Sequence, residues 1–266
     1  MKTRIISAIV MLAIVVPIFV IGGIPFKILG IVLAIASMYE MLKARSSKSK
    51  IPLLIRILSY IFIACFVYLG TDVYSANYEL IYKIMTSLFL IYFIPVVLIN
   101  NTEKYSVTDA LYVLGSSLFL GIAFNSFILI SNNSMLYIIY LALITVITDT
   151  FAYFTGYFIG KNKMCEDISP KKTWEGAIGG TLIGTIIPVL FYMFFINQTD
   201  SIYLLIGVTL FLSIIGQIGD LFFSSVKRHY KIKDFSNLIP GHGGILDRLD
   251  SIIFVVLAFV LFIEIL

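Results

Sequence analysis

Long apolar stretches alternate with short polar segments along the whole chain. A helix that crosses the roughly 30 Å hydrocarbon core needs about 20 apolar residues. Because these stretches show no alternation of apolar and polar positions, they favour helices over the strands of a membrane β-barrel. The pattern therefore predicts an all-α, polytopic integral membrane protein with about nine transmembrane helices. The predicted spans lie at about residues 5–21, 24–42, 52–70, 79–99, 107–130, 136–160, 176–196, 202–225 and 246–266.

The composition agrees with this pattern. Of the 266 residues, 60% are hydrophobic and 13% are charged, whereas a soluble domain has about 25% charged residues. This excludes a water-soluble globular protein, a disordered chain and a disulfide scaffold. Since nine spans use most of the chain, we predict a single transmembrane domain over residues 1–266. The first apolar run lacks a small-residue cleavage site, so we expect it to be a retained anchor.

The distribution of basic residues predicts the orientation in the membrane. With a cytoplasmic N-terminus, nine spans place 17 of the 19 Lys and Arg residues on the cytoplasmic side and leave only Lys27 and Lys83 outside. Cytoplasmic loops of membrane proteins carry such an excess of Lys and Arg. We therefore expect a multi-pass protein of the cell (inner) membrane.

The start of the last span carries two carboxylates. Its purely apolar part, residues 251–266, would be only about 24 Å long as a helix. We therefore expect the helix to begin near Ile245 and to bring Asp247, Arg248 and Asp250 to the cytoplasmic edge of the membrane. Asp247 and Asp250 share a helix face and repel each other unless a cation lies between them. The competing interpretation is a helix N-terminus favoured by acidic residues, which pair with Arg248.

Two further aspartates lie inside predicted spans. Asp220 shares a stripe of the eighth span with Gln217 and Ser224, and Asp149 lies deeper in the sixth span. A charge at such a depth costs about 2.5–3.5 kcal/mol on insertion scales and indicates function by default. Carboxylates without His or Cys clusters suit Mg²⁺, which usually shares its remaining positions with substrate phosphates. The competing interpretation is structural, with each aspartate paired to a basic neighbour or hydrogen-bonded.

Basic residues and glycines flank these aspartates. The segment 241–244 (Gly-His-Gly-Gly) precedes the last span, so free backbone N–H groups are expected to face an anion there. Basic loops also follow the positive-inside rule and attract anionic lipid, which is the competing interpretation for any one lysine. The basic candidates for phosphate binding are Lys171, Lys172, Lys227, Arg228, Lys231 and Lys233.

Three segments resemble motifs of the phosphatidate cytidylyltransferases, the CDP-diacylglycerol synthases. The longest, SSVKRHYKIKDFSNLIPGHGGILDRLD, is similar to the family signature over its full length. One departure is Tyr157, where the family pattern leads us to expect a basic residue. The resemblance is specific over residues 149–251, which are expected to carry the catalytic motifs on the cytoplasmic side. The three segments are residues 224–250, residues 169–176 followed by Gly179 and Gly180, and residues 149–153.

The resemblance implies that CTP and phosphatidic acid, the latter held in the bilayer, react to give CDP-diacylglycerol and pyrophosphate for phospholipid biosynthesis. Mg²⁺ is the implied cofactor, no nucleic-acid partner is expected, and a second, monovalent cation and a homodimer are left open. The implied metal ligands are Asp149, Asp220, Asp247 and Asp250. The expected catalytic residues are Asp220, Asp247, Asp250, Lys227, Arg228 and His242. The expected substrate-binding residues are Lys171, Lys172, Thr173, Ser224, Lys233, Gly243, Gly244 and Arg248.

A cation-coupled anion transporter is the alternative from a different class, because it too would combine buried carboxylates with a basic vestibule. Against it, the polar residues cluster at one membrane face, and the two halves show no inverted repeat. A closer alternative is a cytidylyltransferase or kinase that acts on another lipid, such as an isoprenoid ether lipid. A structural scaffold would not need intramembrane aspartates.

Overall fold

The apolar stretches form helices in the computed structural model, which describes residues 2–69, 78–196 and 201–265. Within these ranges the chain has nine α-helices and one two-stranded antiparallel sheet. The predicted all-α class is confirmed, and most helix bounds lie within a few residues of the predicted spans. In chain order the elements are α1 (Lys2–Ile21), α2 (Gly23–Arg45), α3 (Leu53–Leu69), α4 (Tyr78–Ile99), α5 (Val107–Asn133), α6 (Met135–Ile159), β1 (Lys163–Cys165), β2 (Ser169–Thr173), α7 (Trp174–Phe195), α8 (Ile202–His229) and α9 (Leu246–Phe259).

Six of the described helices are long and apolar enough to cross a membrane: α2, α4, α5, α6, α7 and α8. Helix α3 has 17 residues and α9 has 14. The ninth predicted span was too long, because regular helix ends at Phe259 and residues 260–265 form turns. A polytopic helical membrane protein is therefore confirmed, whereas the number of nine crossings stays a prediction.

A short β-hairpin joins α6 to α7, and the apolar pattern does not predict it. Strands β1 and β2 pair antiparallel. The first turn of α7 supports the hairpin, because the Glu175 carboxylate accepts hydrogen bonds from the backbone N–H groups of Lys161 and Asn162. The Asn162 side-chain amide also donates to Glu175 at 2.7 Å. The hairpin places Lys171 and Lys172 on β2, which leads directly into α7.

The chain divides into two compact units. Unit 1 comprises Met1–Leu129 and Tyr230–Asp247, and unit 2 comprises Ile130–His229 and Arg248–Leu266. The boundary between the units falls within the first turn of α9. Compact units of one chain need not be separate domains, so the single transmembrane domain stays a prediction.

Aromatic stacking and a buried hydroxyl network hold unit 1 together. The ring of Phe26 on α2 stacks on Phe127 of α5 with centroids 5.4 Å apart. The Tyr92 hydroxyl on α4 bonds to the hydroxyls of Ser59 at 3.1 Å and Ser117 at 2.9 Å. Polar groups buried among apolar residues need such partners, since an unpaired one is costly. The network therefore joins α3, α4 and α5.

Small residues bring α6 and α7 of unit 2 into close contact. A Cβ atom at Gly180 would lie 2.6 Å from the Thr148 carbonyl oxygen and 2.7 Å from the Ala152 Cβ. One turn further along α7, Gly184 also faces Thr148. The Thr148 hydroxyl bonds to Ser213 of α8 at 2.8 Å. Close approach through small residues is a common mode of helix packing in membranes, and here it fixes the part of α6 that precedes Asp149.

Candidate active site

Unit 2 brings together three of the four aspartates predicted to bind metal. Asp149 lies on α6, Asp220 on α8 and Asp250 on α9; we call these three residues the aspartate cluster. Asp250 is within electrostatic range of Asp220 and Asp149, which repel it, and of the Lys227 ammonium group, which attracts it. Asp149 is likewise repelled by Asp220 and attracted by Lys172. Like charges are thus concentrated at one place and only partly balanced by two lysines.

Two glycines of α8 explain how α9 comes so close. A Cβ atom at Gly219 would lie 2.8 Å from the Asp250 carbonyl oxygen and from the Phe254 Cβ. A Cβ atom at Gly216 would lie 3.0 Å from the Val255 side chain. Because both positions lack a side chain, the backbones of α8 and α9 approach each other closely next to Asp220 and Asp250.

The partners of Asp220 are a lysine and a serine. The Lys172 Nζ atom lies 2.7 Å from Asp220 Oδ2, and the two side chains are 24% and 28% exposed. The Ser224 hydroxyl donates to Asp220 Oδ1 at 3.3 Å. Gln217, on the same stripe of α8, instead donates its side-chain amide to the Thr181 hydroxyl of α7 at 2.7 Å. Of the three residues on the predicted stripe, Gln217 therefore contacts a neighbouring helix, whereas Asp220 and Ser224 belong to the charged site.

The remaining charged groups of unit 2 differ in burial. Lys227 on α8 is only 9% exposed. Lysine is rarely buried to this extent unless it is paired with an acidic group, and here Asp250 is within electrostatic range. Lys171, Arg228 and Arg248 are exposed, and Arg228 donates through Nε to the Ile168 carbonyl oxygen at 3.3 Å. Their predicted roles in catalysis and substrate binding stay predictions.

Thr173 has a structural task in this unit. Its side chain is buried, and its hydroxyl oxygen accepts a hydrogen bond from the Gly176 N–H at 3.2 Å, which caps α7. A Cβ atom at Gly156 of α6, or at Gly160 directly after α6, would collide with this threonine. Its predicted contact with substrate stays a prediction beside the capping role that the structure shows.

The aspartate cluster has the donor atoms that Mg²⁺ prefers. Among the residues that the structure describes, no three Asp, Glu, His or Cys side chains are close enough to hold a metal ion by themselves. Proteins usually hold Mg²⁺ through one or two carboxylates and leave the remaining positions to water and substrate phosphates. A pair of carboxylates from the cluster fits that mode of binding.

The other predicted site residues lie in unit 1, in the loop between α8 and α9 and in the first turn of α9. The His242 ring bonds through Nδ1 to the Ser7 hydroxyl of α1 at 2.8 Å. Asp247 Oδ2 accepts hydrogen bonds from the N–H groups of Phe235 and Gly244, both at 2.9 Å. Lys233 is exposed. Asp247 therefore organises the loop, and its predicted role as a metal ligand stays a prediction.

The expectation of free backbone N–H groups in segment 241–244 is wrong for His242, Gly243 and Gly244. The N–H groups of His242 and Gly243 both donate to the Ile239 carbonyl oxygen, at 2.9 and 3.2 Å. The Gly244 N–H donates to Asp247. Gly241 and Gly243 have positive φ angles of 79° and 89°, so the glycines serve the tight turn. Substrate contacts of Gly243 and Gly244 stay predictions. In this structure their N–H groups are already bonded within the protein and are not free for a substrate anion.

Glu40 is a buried acidic residue that the sequence pattern does not indicate. Glu40 of α2 is fully buried at 0% exposure. It accepts hydrogen bonds from the Ser236 hydroxyl and from the N–H groups of Ile245 and Leu246. In the sequence it is an acidic residue near the polar end of a span, among Lys43 and Arg45, and nothing in that pattern indicates burial.

The fold and the aspartate cluster define a class: a polytopic helical membrane protein whose candidate site combines carboxylates with lysines. The chain belongs to the cytidylyltransferase family, whose model matches residues 2–266. It is similar to the phosphatidate cytidylyltransferase of Staphylococcus haemolyticus (strain JCSC1435), with 38% identity over 96% of both chains. The protein of the same name from Staphylococcus aureus (strain COL) is 35% identical over 96% of both chains. The family resemblance inferred from the three segments is thereby confirmed.

Proposed function

We propose that this protein transfers the cytidylyl group of CTP to phosphatidic acid, which gives CDP-diacylglycerol and pyrophosphate for phospholipid biosynthesis. The similarity to proteins named phosphatidate cytidylyltransferase covers nearly the whole chain. The observation that carries the proposal is the aspartate cluster with Lys172 and Lys227, because a reaction between two polyanions needs both cation-binding and phosphate-binding groups in one place.

The chemistry requires no nucleophile from the protein. An oxygen of the lipid phosphate forms a bond to the α-phosphorus of CTP, and the bond from that phosphorus to the bridging oxygen of the β-phosphate breaks. Pyrophosphate leaves with the electron pair. The lipid phosphate is largely ionised near neutral pH, so it needs little help from a base. Transfers of this type depend mainly on positioning and on stabilisation of charge.

Lys172 and Lys227, the two lysines beside the aspartate cluster, reduce the repulsion between the substrates. Lys172 neutralises Asp220 at 2.7 Å in the structure, and its flexible ammonium group can turn to a phosphate of higher charge. Lys227 is buried beside Asp250, so its charge is little screened by water and acts strongly on a nearby phosphate. The exposed Lys171, Arg228 and Lys233 are proposed to attract the nucleotide at longer range.

Mg²⁺ would be held by Asp220 and Asp250, with Asp149 in support. When bound, it would neutralise phosphate charge and orient the phosphates for displacement. The Asp149 carboxylate accepts a hydrogen bond from the Ser251 hydroxyl at 3.3 Å, which limits its rotation. Direct metal contacts of Asp149 and Asp247 stay predictions.

The direct test is an assay of the purified protein in detergent with labelled CTP and dispersed phosphatidic acid, with and without Mg²⁺. We expect labelled CDP-diacylglycerol and an equal amount of pyrophosphate, and no product without the lipid. A protein that forms neither product, but accumulates an anion inside proteoliposomes against a cation gradient, would be a transporter instead.

We further propose that the site faces the cytoplasm of a bacterial cell, where CTP is available. The test places single cysteines at Lys171 or Lys233 in a variant whose Cys65 and Cys165 are replaced by serine. An impermeant maleimide should label neither position in intact cells and both after permeabilisation. A cysteine at the exposed Lys83, on the predicted outer side, is the positive control. Labelling at Lys233 in intact cells would contradict the orientation.

A further inference from the structure

Glu40 is a buried carboxylate held by three hydrogen-bond donors, two from the loop before α9 and one from the first residue of α9. The distances are 2.5 Å to the Ser236 Oγ atom, 2.9 Å to the Ile245 nitrogen and 2.7 Å to the Leu246 nitrogen. Oε1 accepts the first two bonds and Oε2 accepts the third. All four residues belong to unit 1.

Two of these donors, the N–H groups of Ile245 and Leu246, lie at the N-terminal end of α9. The first N–H groups of a helix have no partner within the helix and carry its partial positive charge. A carboxylate placed there makes short, charge-assisted bonds that are stronger than neutral ones. Glu40 therefore caps α9 from a different helix, and its own burial is compensated by the same bonds.

Gly244 shows how closely the loop encloses Glu40. A Cβ atom at Gly244 would collide with both carboxylate oxygens of Glu40. The N–H of Gly244 donates to Asp247, while the next two N–H groups along the chain donate to Glu40. Three consecutive N–H groups thus bind two carboxylates, one to Asp247 and two to Glu40. The orientation of the first turn of α9 therefore depends on both carboxylates.

We propose that Glu40 is a positioning residue for the cytidylyl transfer: it fixes the first turn of α9, and with it the side chain of Asp247, from helix α2. This inference rests on the proposed function. Glu40 is fully buried in the structure, so it acts through the loop rather than on the reacting atoms. Misplacement of a catalytic group by about 1 Å can lower turnover about a hundredfold, so a defect in this anchor should reduce kcat.

The first experiment compares Glu40→Gln, Glu40→Asp and a matched control, Ser37→Ala. Ser37 lies one turn earlier on α2 and is equally buried, and its hydroxyl has no hydrogen-bond partner among the described residues. Glutamine keeps the size of Glu40 but directs an NH₂ group at a donor in either amide orientation. We expect kcat to fall about ten- to a hundredfold, with the KM for CTP changed less than about threefold. The control should keep wild-type kinetics.

The conservative variant separates positioning from bulk stability. Glu40→Asp keeps the charge and both acceptor oxygens on a side chain shorter by one methylene group. Its kcat should lie between those of the wild type and Glu40→Gln at a similar thermal midpoint. If Glu40→Gln fails to fold, Ser236→Ala removes one of the three bonds only and should lower kcat by a smaller factor in a stable protein.

The second experiment is independent of activity. Hydrogen exchange followed by mass spectrometry reports the protection of the backbone amides of residues 236–247. Glu40→Gln should speed exchange in this segment and leave helices α3 and α5 unchanged, and Ser37→Ala should change neither. If the wild type makes no CDP-diacylglycerol, the proposed function fails and the role in that reaction fails with it, whereas exchange still shows whether Glu40 anchors the loop.

Two results would overturn the inference. One is a Glu40→Gln variant with wild-type kcat and wild-type protection of residues 236–247. The other is a loss of activity that runs parallel to faster exchange throughout unit 1, because that result would make Glu40 a general stabilising residue.

Discussion

Glu40 and Asp247 of unit 1 differ in their partners from Asp220 and Asp250 of unit 2. Glu40 and Asp247 in unit 1 accept hydrogen bonds from backbone N–H groups, four in all. In unit 2, the partners of Asp220 are the side chains of Lys172 and Ser224, and the neighbours of Asp250 include two other carboxylates. The backbone partners of Glu40 and Asp247 are fixed by the fold, whereas the side-chain partners of Asp220 can move away. Asp250 is intermediate, because its Oδ1 atom also accepts a hydrogen bond from the Ser251 N–H at 2.8 Å.

This difference separates structural from chemical carboxylates better than sequence context does. A backbone N–H group is fixed in place by the fold, so a carboxylate that binds it holds the chain in shape. A lysine side chain can exchange one anion for another, and clustered like charges favour a cation between them. The comparison therefore predicts that loss of the Asp220 carboxylate lowers catalysis at nearly constant stability, whereas a change at the contacts of Glu40 acts through the shape of the loop before α9.

The largest effect is expected from Asp220→Asn. Asparagine keeps the size of the residue but loses the charge that would hold a cation, so catalytic efficiency should fall roughly a hundred- to a thousandfold. The thermal midpoint should change little, because the loss of the Lys172 bond is offset by relief from Asp250 and Asp149. Steady-state kinetics and a thermal scan in the same detergent test this. Asp167→Asn, the same change at an exposed position of the hairpin, should be silent.

Near-normal activity of Asp220→Asn at low Mg²⁺ concentration would break the comparison, because a carboxylate with exchangeable partners would then be dispensable.

A smaller effect is expected when the lysines are removed. Lys172→Ala should lower kcat/KM for CTP roughly ten- to a hundredfold, since a charge-assisted contact contributes about 1.5–3 kcal/mol. Lys171→Ala should have a smaller effect, because its exposed side chain supplies about 1 kcal/mol of longer-range attraction. The measurement is steady-state kinetics in micelles with phosphatidic acid as the sole anionic lipid. Lys163→Ala, on the neighbouring strand, is the control.

Equal and small defects in Lys172→Ala and Lys171→Ala would mean that both lysines serve only the membrane orientation, and would reopen the transporter alternative.

Gly244→Ala should affect stability first. The added Cβ collides with the Glu40 carboxylate, and such overpacking typically costs about 1–3 kcal/mol. Thermal unfolding in detergent should show a lower midpoint. Gly115→Ala in α5 adds a Cβ that meets nothing within 4 Å, so it should leave the midpoint unchanged or raise it, since alanine favours a helix by about 1 kcal/mol over glycine. An unaffected Gly244→Ala midpoint would show that the loop does not depend on Glu40.

The smallest effect is expected from Thr173→Ala. It removes the cap of α7, which typically costs about 1 kcal/mol, and Thr173→Ser should restore most of it because serine keeps the hydroxyl oxygen. The thermal midpoints of the two variants test this. A loss of catalytic efficiency far beyond the change in stability would instead support the substrate-binding role expected from the family resemblance.

Hydropathy alone predicted the helices, because a span in lipid must satisfy its own backbone hydrogen bonds. The positions of Asp220 and Asp250 on their helices followed from the same pattern. The pairing of Lys172 with Asp220 did not, since it depends on a hairpin that has no apolar signal. Glu40 was missed because its partners lie about 200 positions further along the chain, and no local pattern records such a contact.

The separation of Glu40 from its partners has a consequence for biosynthesis. Its bonds to Ile245 and Leu246 span 205 and 206 positions of sequence. At a synthesis rate of about 5–20 residues per second, Glu40 is added to the chain roughly 10–40 s before those donors exist. During that interval the carboxylate must remain hydrated or bound to other groups, and the cap on α9 can form only after α8 has been made. The last step in assembling unit 1 therefore waits for nearly the whole chain to be translated.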